Sequence, residues 1–504
     1  MPNPKPWYRP RNVCIAAFLI LVALLAHEVY LAVNATPGKA IDYGQRAVAL
    51  VEENQPKGLP ADEPNSWRFL VETIDAAKAA LDEAAGDGDP IEFEALYILS
   101  TENRPDGWSL ENEQARARTA IDLFAARGIP DRLAKIAAAR RFVRPSQRGN
   151  LIGWLLPELG GARSLARYSA ARMELARQQG DWPEYVRAYD EGMALATLFS
   201  RQFTLIDALV GYAITSLMAT RLSEALVTTR LDEPTLVALL AAHERRAALT
   251  PITRTLEGER LGCLDTIQWT HTDDGRGSGR IILTQVQMLS NFGGGGLNFG
   301  GASIINMGAI AFPSKRAVTR RANEFYDKVA AYAALRRADR PKSGFSPEAW
   351  VDSLSPRHVV LRMLVPAFGR AVDSWDHTQA RLEGTRVMLA LEIAQRRTGQ
   401  YPASLAELAP AILTSVPLDP FSSGPLVYRR QEPDEAGRRY LLYSVGADGR
   451  DNNGAQHAKT RELAFRDGNN GLDYVLNEPP KPPTAKPKPD PHPDQPTQPD
   501  GTSP

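Results

Sequence analysis

"SLARYSAARMELARQQGDWPEYVRAYDEGMALATLF", residues 164–199, decides the fold class. Apolar side chains recur through it at a spacing near 3.6 residues, the period of a helix that buries one face. Gly180-Asp181 interrupts the pattern, and Pro183 follows at a position suited to the first turn of a second helix. The stretch predicts two helices joined by a turn. Its Ala, Leu, Glu and Arg content continues on either side, so residues 40–250 read as a helical domain.

The hairpin resembles a single tetratricopeptide-type unit. No second copy lies at a 34-residue period, so a repeat array is not expected. Upstream, "SWRFLVETIDAAKAALDEAAGDGD" predicts a helix capped by Ser66 and stopped at Gly86 and Gly88. Downstream, residues 251–315 are rich in Gly and Asn and read as a flexible insertion or long loop between helices. Their glycines lack the Gly-Lys-Ser/Thr and strand–GxGxxG–helix contexts of a phosphate loop. Helical pattern resumes over 316–378. The chain closes on a proline-rich stretch, 478–504, that cannot build a core and reads as a disordered tail.

Length and charge bound the function. The 504 residues carry 59 Lys+Arg against 59 Asp+Glu, a net charge of zero that argues against a general nucleic-acid binder. Two cysteines, Cys14 and Cys263, exclude an internal disulfide framework or a cysteine-built zinc site. Residues 1–12 hold Lys5, Arg9 and Arg11 and no acid, and 13–33 form an apolar run, with His27 and Glu28 near its outer end. That arrangement predicts a single-pass signal anchor in the cytoplasmic (inner) membrane with its N-terminus inside and the bulk of the chain outside. The rival reading is a cleaved signal peptide ending at "VNA", residues 33–35. Both export the chain. "RQFTLIDALVGYAI", residues 201–214, contains a second apolar run with Asp207 inside it. It reads as a buried helix, with a second span as the alternative.

Residues 379–476 form a different kind of unit. A helix ends at Gly399, and Ser404 with Glu407 fits a capping box opening a short helix. Asp419-Pro420 and Ser423-Gly424 signal turns. "PLVYRR" and "YLLYSV" read as strands of a small antiparallel sheet with "EPDEAG" as the hairpin loop. After the second strand come Gly446, Asp448, Gly449, Asp451, Asn452 and Asn453, a turn crowded with oxygen on a glycine-rich backbone.

In order, the unit shows Gly399-Gln400-Tyr401-Pro402, Leu405, Leu408, Asp419-Pro420-Phe421, Gly424-Pro425, Tyr428 and Tyr443-Ser444-Val445-Gly446-Ala447-Asp448-Gly449. These motifs, covering about 100 residues, resemble the C-terminal part of the major (G-type) pseudopilins of type II secretion. The resemblance implies a calcium site in the loop after the last Tyr strand, with Asp448, Asp451, Asn453 and Asp473 as ligands, Asn452 beside them, and carbonyls from Leu442 and Val445. Ca²⁺ takes six to eight hard oxygens in flexible geometry, which such a loop can supply. The spacing is not that of an EF-hand. A long insertion, "AQHAKTRELAFR", separates Gly454 from Asp467, which makes Asp467 an alternative to Asp473. The unaided reading of the same residues is a polar turn held by Asx hydrogen bonds. The chain also departs from the family at the start, lacking the leader, the Gly-Phe cleavage point and the following Glu. That departure argues against polymerisation into a pilus.

No nucleophile, base and orienter assemble in the sequence. "HEVYL" and "HERRA" lack the second histidine of a zinc protease, and no G-x-S-x-G elbow occurs. "WTHTDDG", with His271, Asp273 and Asp274, is the nearest to a catalytic cluster. The expectation is a mainly α, membrane-anchored envelope protein with a pseudopilin-like α+β module, non-catalytic and working through protein partners in secretion-type machinery. The alternative is an exported hydrolase with its site in the helical domain.

Overall fold

The computed structural model describes residues 10–38, 41–85, 110–154, 156–273, 278–292, 309–365, 368–457 and 471–480. Fifteen helices are described: α1 Pro10–Val33, α2 Tyr43–Glu53, α3 Trp67–Ala85, α4 Leu110–Ala126, α5 Ile129–Ala137, α6 Glu158–Gln179, α7 Trp182–Ser200, α8 Leu205–Thr228, α9 Glu233–Arg246, α10 Ile252–Trp269, α11 Leu283–Phe292, α12 Lys315–Ala334, α13 Pro347–Asp352, α14 Val359–Leu364 and α15 Phe368–Thr398. The molecule is mainly helical, with one three-stranded antiparallel sheet.

The hairpin of residues 158–200 forms as its sequence dictates. Gly180 closes α6 at φ 72, a left-handed conformation that costs a Cβ-bearing residue, and Asp181 caps α7 by accepting from the Glu184 amide at 3.1 Å. Pro183 occupies the first turn of α7. α8 packs along α7, and α15 then packs against α8 and α9. Capping of α3 differs from expectation. The side chain that accepts from the Trp67 amide is that of Asn65, at 3.2 Å, while the Ser66 amide donates to the Arg141 carbonyl at 3.1 Å. Asn65 reaches both ways because its amide also pairs with the Val143 backbone. The expected stop at Gly86 and Gly88 lies outside the described residues.

Residues 252–269 are a correction. Read as part of a flexible insertion, they form a buried helix, α10, packed on α12 and α2. Its inner face is partly polar and most of its polar groups are bonded: Asp265 Oδ2 accepts from the Leu151 amide at 2.6 Å, Gln268 exchanges two hydrogen bonds with the backbone of Ile41, and Thr266 Oγ1 donates to the Gly262 carbonyl at 2.9 Å. A buried polar group that finds partners costs little, so the helix survives without an apolar stripe. The glycine-rich run 293–308 lies outside the described residues.

α1 carries a stretch, Cys14–Leu31, long and apolar enough to cross a membrane, and none of it is buried. α8 passes the same test of length and composition but is more than half buried. Asp207, fully buried on α8, explains its place. Arg144 donates to it through Nη1 at 2.7 Å and Nη2 at 2.5 Å, and through Nε to Glu158 at 2.7 Å, with its guanidinium 4.6 Å from the Trp67 ring centre. The charge is paired inside the core, as a buried charge must be.

The strands are β1 Val427–Arg430, β2 Tyr440–Ser444 and β3 Tyr474–Val475, with β2 central. Tyr443 opposes both Val427 and Val475. β2 lies on α15, and Leu476 sits so close to Gly384 of α15 that a Cβ there would fall 2.3 Å from its methyl. α15 begins at Phe368, eleven residues before the expected start of the C-terminal unit. One apolar core runs without interruption from Trp67 to Leu476 and takes in both the helical body and the sheet. A second, smaller cluster of Tyr43, Leu50, Leu151, Trp154 and Phe203 binds α2 to that body.

Candidate metal loop of the C-terminal unit

The loop begins where β2 leaves the sheet. Asp419, read from sequence as a turn residue, is fully buried and clasps the strand end. Its Oδ1 accepts from Ser444 Oγ at 2.8 Å and from the Phe421 amide at 3.0 Å, and its Oδ2 from the Val445 amide at 3.0 Å. Burial raises its carboxyl pKa, and these three donors oppose the rise. The signal that could have found it is the Asp-Pro-Phe triplet, where proline and a buried aromatic fix the carboxylate's approach.

Beyond Ser444 the backbone turns through left-handed conformations at Gly446, Gly449, Asn453 and Gly454, with φ of 67, 67, 60 and 79. Three of these are glycines and the fourth is Asn, the residue that tolerates the region best. The tight path folds the oxygens inward. Asp448 accepts from the Arg450 amide at 2.9 Å and from Asn452 Nδ2 at 2.8 Å. Asp451 accepts from Tyr443 Oη at 2.7 Å, from the Asn453 amide at 2.8 Å and from Arg429 Nη2 at 2.8 Å. The Tyr443 hydroxyl foremost holds the Asp451 carboxyl below its ordinary range. Asn453 is exposed on the outer side of the turn.

Asp473 comes back to this loop despite the insertion. Pairing of β3 with β2 sets it beside residues 452–454, fully buried. It accepts from the Asn452 amide at 3.0 Å and the Gly454 amide at 2.7 Å, and its own amide donates to the Ala455 carbonyl at 2.7 Å. Burial, with the charges of Asp451 and Asp448 adding to it, pushes its carboxyl up to about 6, against the two amides. Asp467 lies outside the described residues. Of the expected main-chain oxygens, that of Leu442 already accepts from the Leu476 amide at 2.9 Å.

The four expected ligands therefore share one loop, but unequally. Asp448, Asp451 and Asp473 act on one another electrostatically, and Asn453 faces outward. Asp448 and Asp451 are engaged in local Asx-turn hydrogen bonds, and Asp473 accepts from amides brought to it by strand pairing. Among the described residues, no three His, Cys, Asp or Glu side chains are arranged as a ready metal-ligand set. A hard cation here would take Asp448 and Asp473 from their amide donors and relieve the mutual repulsion of the acids.

The histidine cluster has a different character. His271 is fully buried. Its Nδ1 lies 2.9 Å from the Ile267 carbonyl, and burial lowers its pKa to about 4. Asp273 pairs with Lys315 at 3.1 Å, and Asp274 lies outside the described residues. His243, also fully buried, is spent on structure. Its Nε2 meets the Leu382 carbonyl at 3.0 Å, so that nitrogen carries the proton and Nδ1 accepts from Tyr189 Oη at 2.7 Å. Compared with known proteins, the chain matches no protein-family model, no curated protein and no solved structure.

Proposed function

We propose that the protein is a membrane-anchored envelope protein in which the loop of residues 446–454 binds calcium and thereby fixes a protein-interaction surface on the C-terminal unit. The observation that carries this reading is the position of Asp473: a buried carboxyl held against two other acids on a backbone of left-handed turns. A divalent cation is the partner that this clustering favours. The order of elements supports kinship with the pseudopilin unit: a long helix ending at Gly399, the capping box of Ser404 with Glu407, and a Tyr-rich sheet leading into the acidic loop. Anchoring rests on the Cys14–Leu31 stretch of α1, long and apolar enough to cross a membrane and not buried in the protein. The expected role is structural, holding protein partners of secretion-type machinery outside the membrane.

The test is calcium titration of the full chain in detergent, by calorimetry and thermal unfolding. A fragment of the C-terminal unit would strip α15 of the helices that cover it, so the intact chain is required. The expected result is one bound Ca²⁺ and a raised Tm, with both lost in Asp448→Ala. At a calcium concentration 100 times the Kd, the gain is about 2.7 kcal/mol. Absence of binding by the intact chain refutes the proposal.

A further inference from the structure

α10 carries two glycines one helical turn apart, and packing explains only the first. At Gly258 a Cβ would fall 1.9 Å from the Phe203 carbonyl oxygen, so helix and loop meet backbone to backbone there. At Gly262 a Cβ would meet nothing within 4 Å. Glycine inside a helix weakens it relative to alanine, and at Gly262 no neighbour requires it. What Gly262 lines is a cavity of about 200 Å³, the room of about seven water molecules at about 30 Å³ each.

The walls are apolar and aromatic. Trp154, Phe203, Cys263 and Tyr326 are buried and Leu364 half-buried. Trp154 stands edge-on to Phe203, with ring centres 5.6 Å apart. Ile152 and Ile206, 38% and 56% exposed, give the cavity an apolar mouth.

Among the lining residues one carries a charge. Glu259, half-buried on α10, spends its Oε1 on the Leu205 amide at 2.5 Å, at the first residue of α8. Among the described residues nothing donates to its Oε2, no cation pairs with it, and that oxygen is not sealed from water. Arg260, next in the chain, is taken by Asn323 and Asp327, and Arg144 by Asp207 and Glu158. The Tyr326 hydroxyl donates to the Glu259 main-chain carbonyl at 3.2 Å, not to the carboxylate. Burial, with the charge of Asp207 adding to it, raises the Glu259 carboxyl to about 7 against the Leu205 amide. Burial also pushes the Cys263 thiol up to about 12, so it stays neutral beside the acid. A carboxylate set in an apolar wall without a counter-ion is costly until a cation meets it.

We propose that this cavity binds a small primary amine, with its ammonium on Glu259 Oε2 and an aryl or short alkyl body between Trp154, Phe203 and Tyr326. The free carboxylate oxygen selects a cationic donor, the aromatic walls favour an ammonium beside them, and the volume admits a single ring. The site is independent of the calcium loop.

The experiment is calorimetry and thermal unfolding of the full chain in phosphatidylcholine nanodiscs, which keep detergent out of the cavity, with empty nanodiscs as the blank. It is run above the Glu259 pKa of about 7, where the carboxyl is ionised. Benzylamine is expected to bind once per chain and raise the Tm. Its affinity should exceed that of benzyl alcohol, which has the same shape, roughly tenfold, because its hydrogen bond joins two charges. Benzoate is expected not to bind. Glu259→Gln should lose the tenfold preference and leave the alcohol unchanged. Gly262→Leu, whose side chain enters the open space, should abolish binding of both. Where Glu259→Gln fails to fold, the amine-to-alcohol ratio of the native chain and Gly262→Leu decide. No binding of benzylamine, equal affinity for amine and alcohol, or amine binding that survives Gly262→Leu each overturns the proposal.

Discussion

Arg144→Ala removes the one cation between two buried carboxylates. Arg144 is 2% exposed, Asp207 0% and Glu158 7%, so water cannot replace what is lost. Three charge-assisted hydrogen bonds go, together with the guanidinium over the Trp67 ring. Asp207 keeps only its local partners, the Thr204 hydroxyl at 2.6 Å and its own amide, which donates to Thr204 Oγ1 at 3.0 Å. Breaking a buried pair from one side costs about 3–5 kcal/mol, against a whole-domain stability of about 5–15 kcal/mol. Asp207→Asn is milder, because Arg144 and Glu158 still match in charge, and about 2 kcal/mol is expected. Replacing all three with Met and Leu is expected to be neutral or stabilising, since an apolar set of similar volume avoids the desolvation cost. The assay is urea unfolding of the full chain in detergent, followed by far-ultraviolet circular dichroism. Arg68→Ala, which loses an exposed pair with Glu72, serves as the control with no resolvable shift. The reasoning is refuted if Arg144→Ala shifts the midpoint no more than Arg68→Ala.

Other expectations follow from the same geometry. Buried neutral His243 has a pKa near 4 against about 6.5 unfolded, so the stability it contributes is present above pH 6.5 and lost as pH falls toward 4. The native chain should lose up to about 3 kcal/mol more than His243→Phe over that window, read from denaturant melts at each pH. At the proposed calcium site the ion would have to displace the proton from Asp473, so apparent affinity by calorimetry should weaken as pH falls through about 6. Gly180→Ala should cost about 1 kcal/mol in the same melts, because φ 72 is strained for any Cβ-bearing residue.

Much of this was legible in the sequence because local chemistry and tertiary structure agree there. Gly180, Asp181 and Pro183 each specify one step of the α6–α7 turn, and the fold uses all three. Asp207 reads as an anomaly in an apolar run, but its partner Arg144 is sixty-three residues away, so sequence could say only that it needed one. α10 was missed because its buried face carries Thr255, Asp265, Thr266 and Gln268, which erase the 3.6-residue apolar signal. In the loop after β2, the clustering of Asp and Asn on a glycine-rich backbone was readable. The role of Asp419 was not, since it depends on how the end of β2 is closed, and Asp473 was placed beside this loop only by the resemblance, since its return depends on strand pairing.

The Leu382 carbonyl of α15 accepts from His243 of α9, and Tyr212 of α8 rests on Trp375 of α15 at 5.6 Å. These partners are about 140 to 160 residues apart along the chain. A polypeptide emerges from its N-terminus, so α8 and α9 are made long before the helix that covers them. Until residue 398 or so has appeared, their inner faces stay bare and the unmet Nε2 of His243 meets water. Closure of so distant a contact is slow, because its loop entropy must be met first. For this protein, closure of the α8–α9–α15 core is a late event in synthesis, and the interval before it is when chaperones matter most.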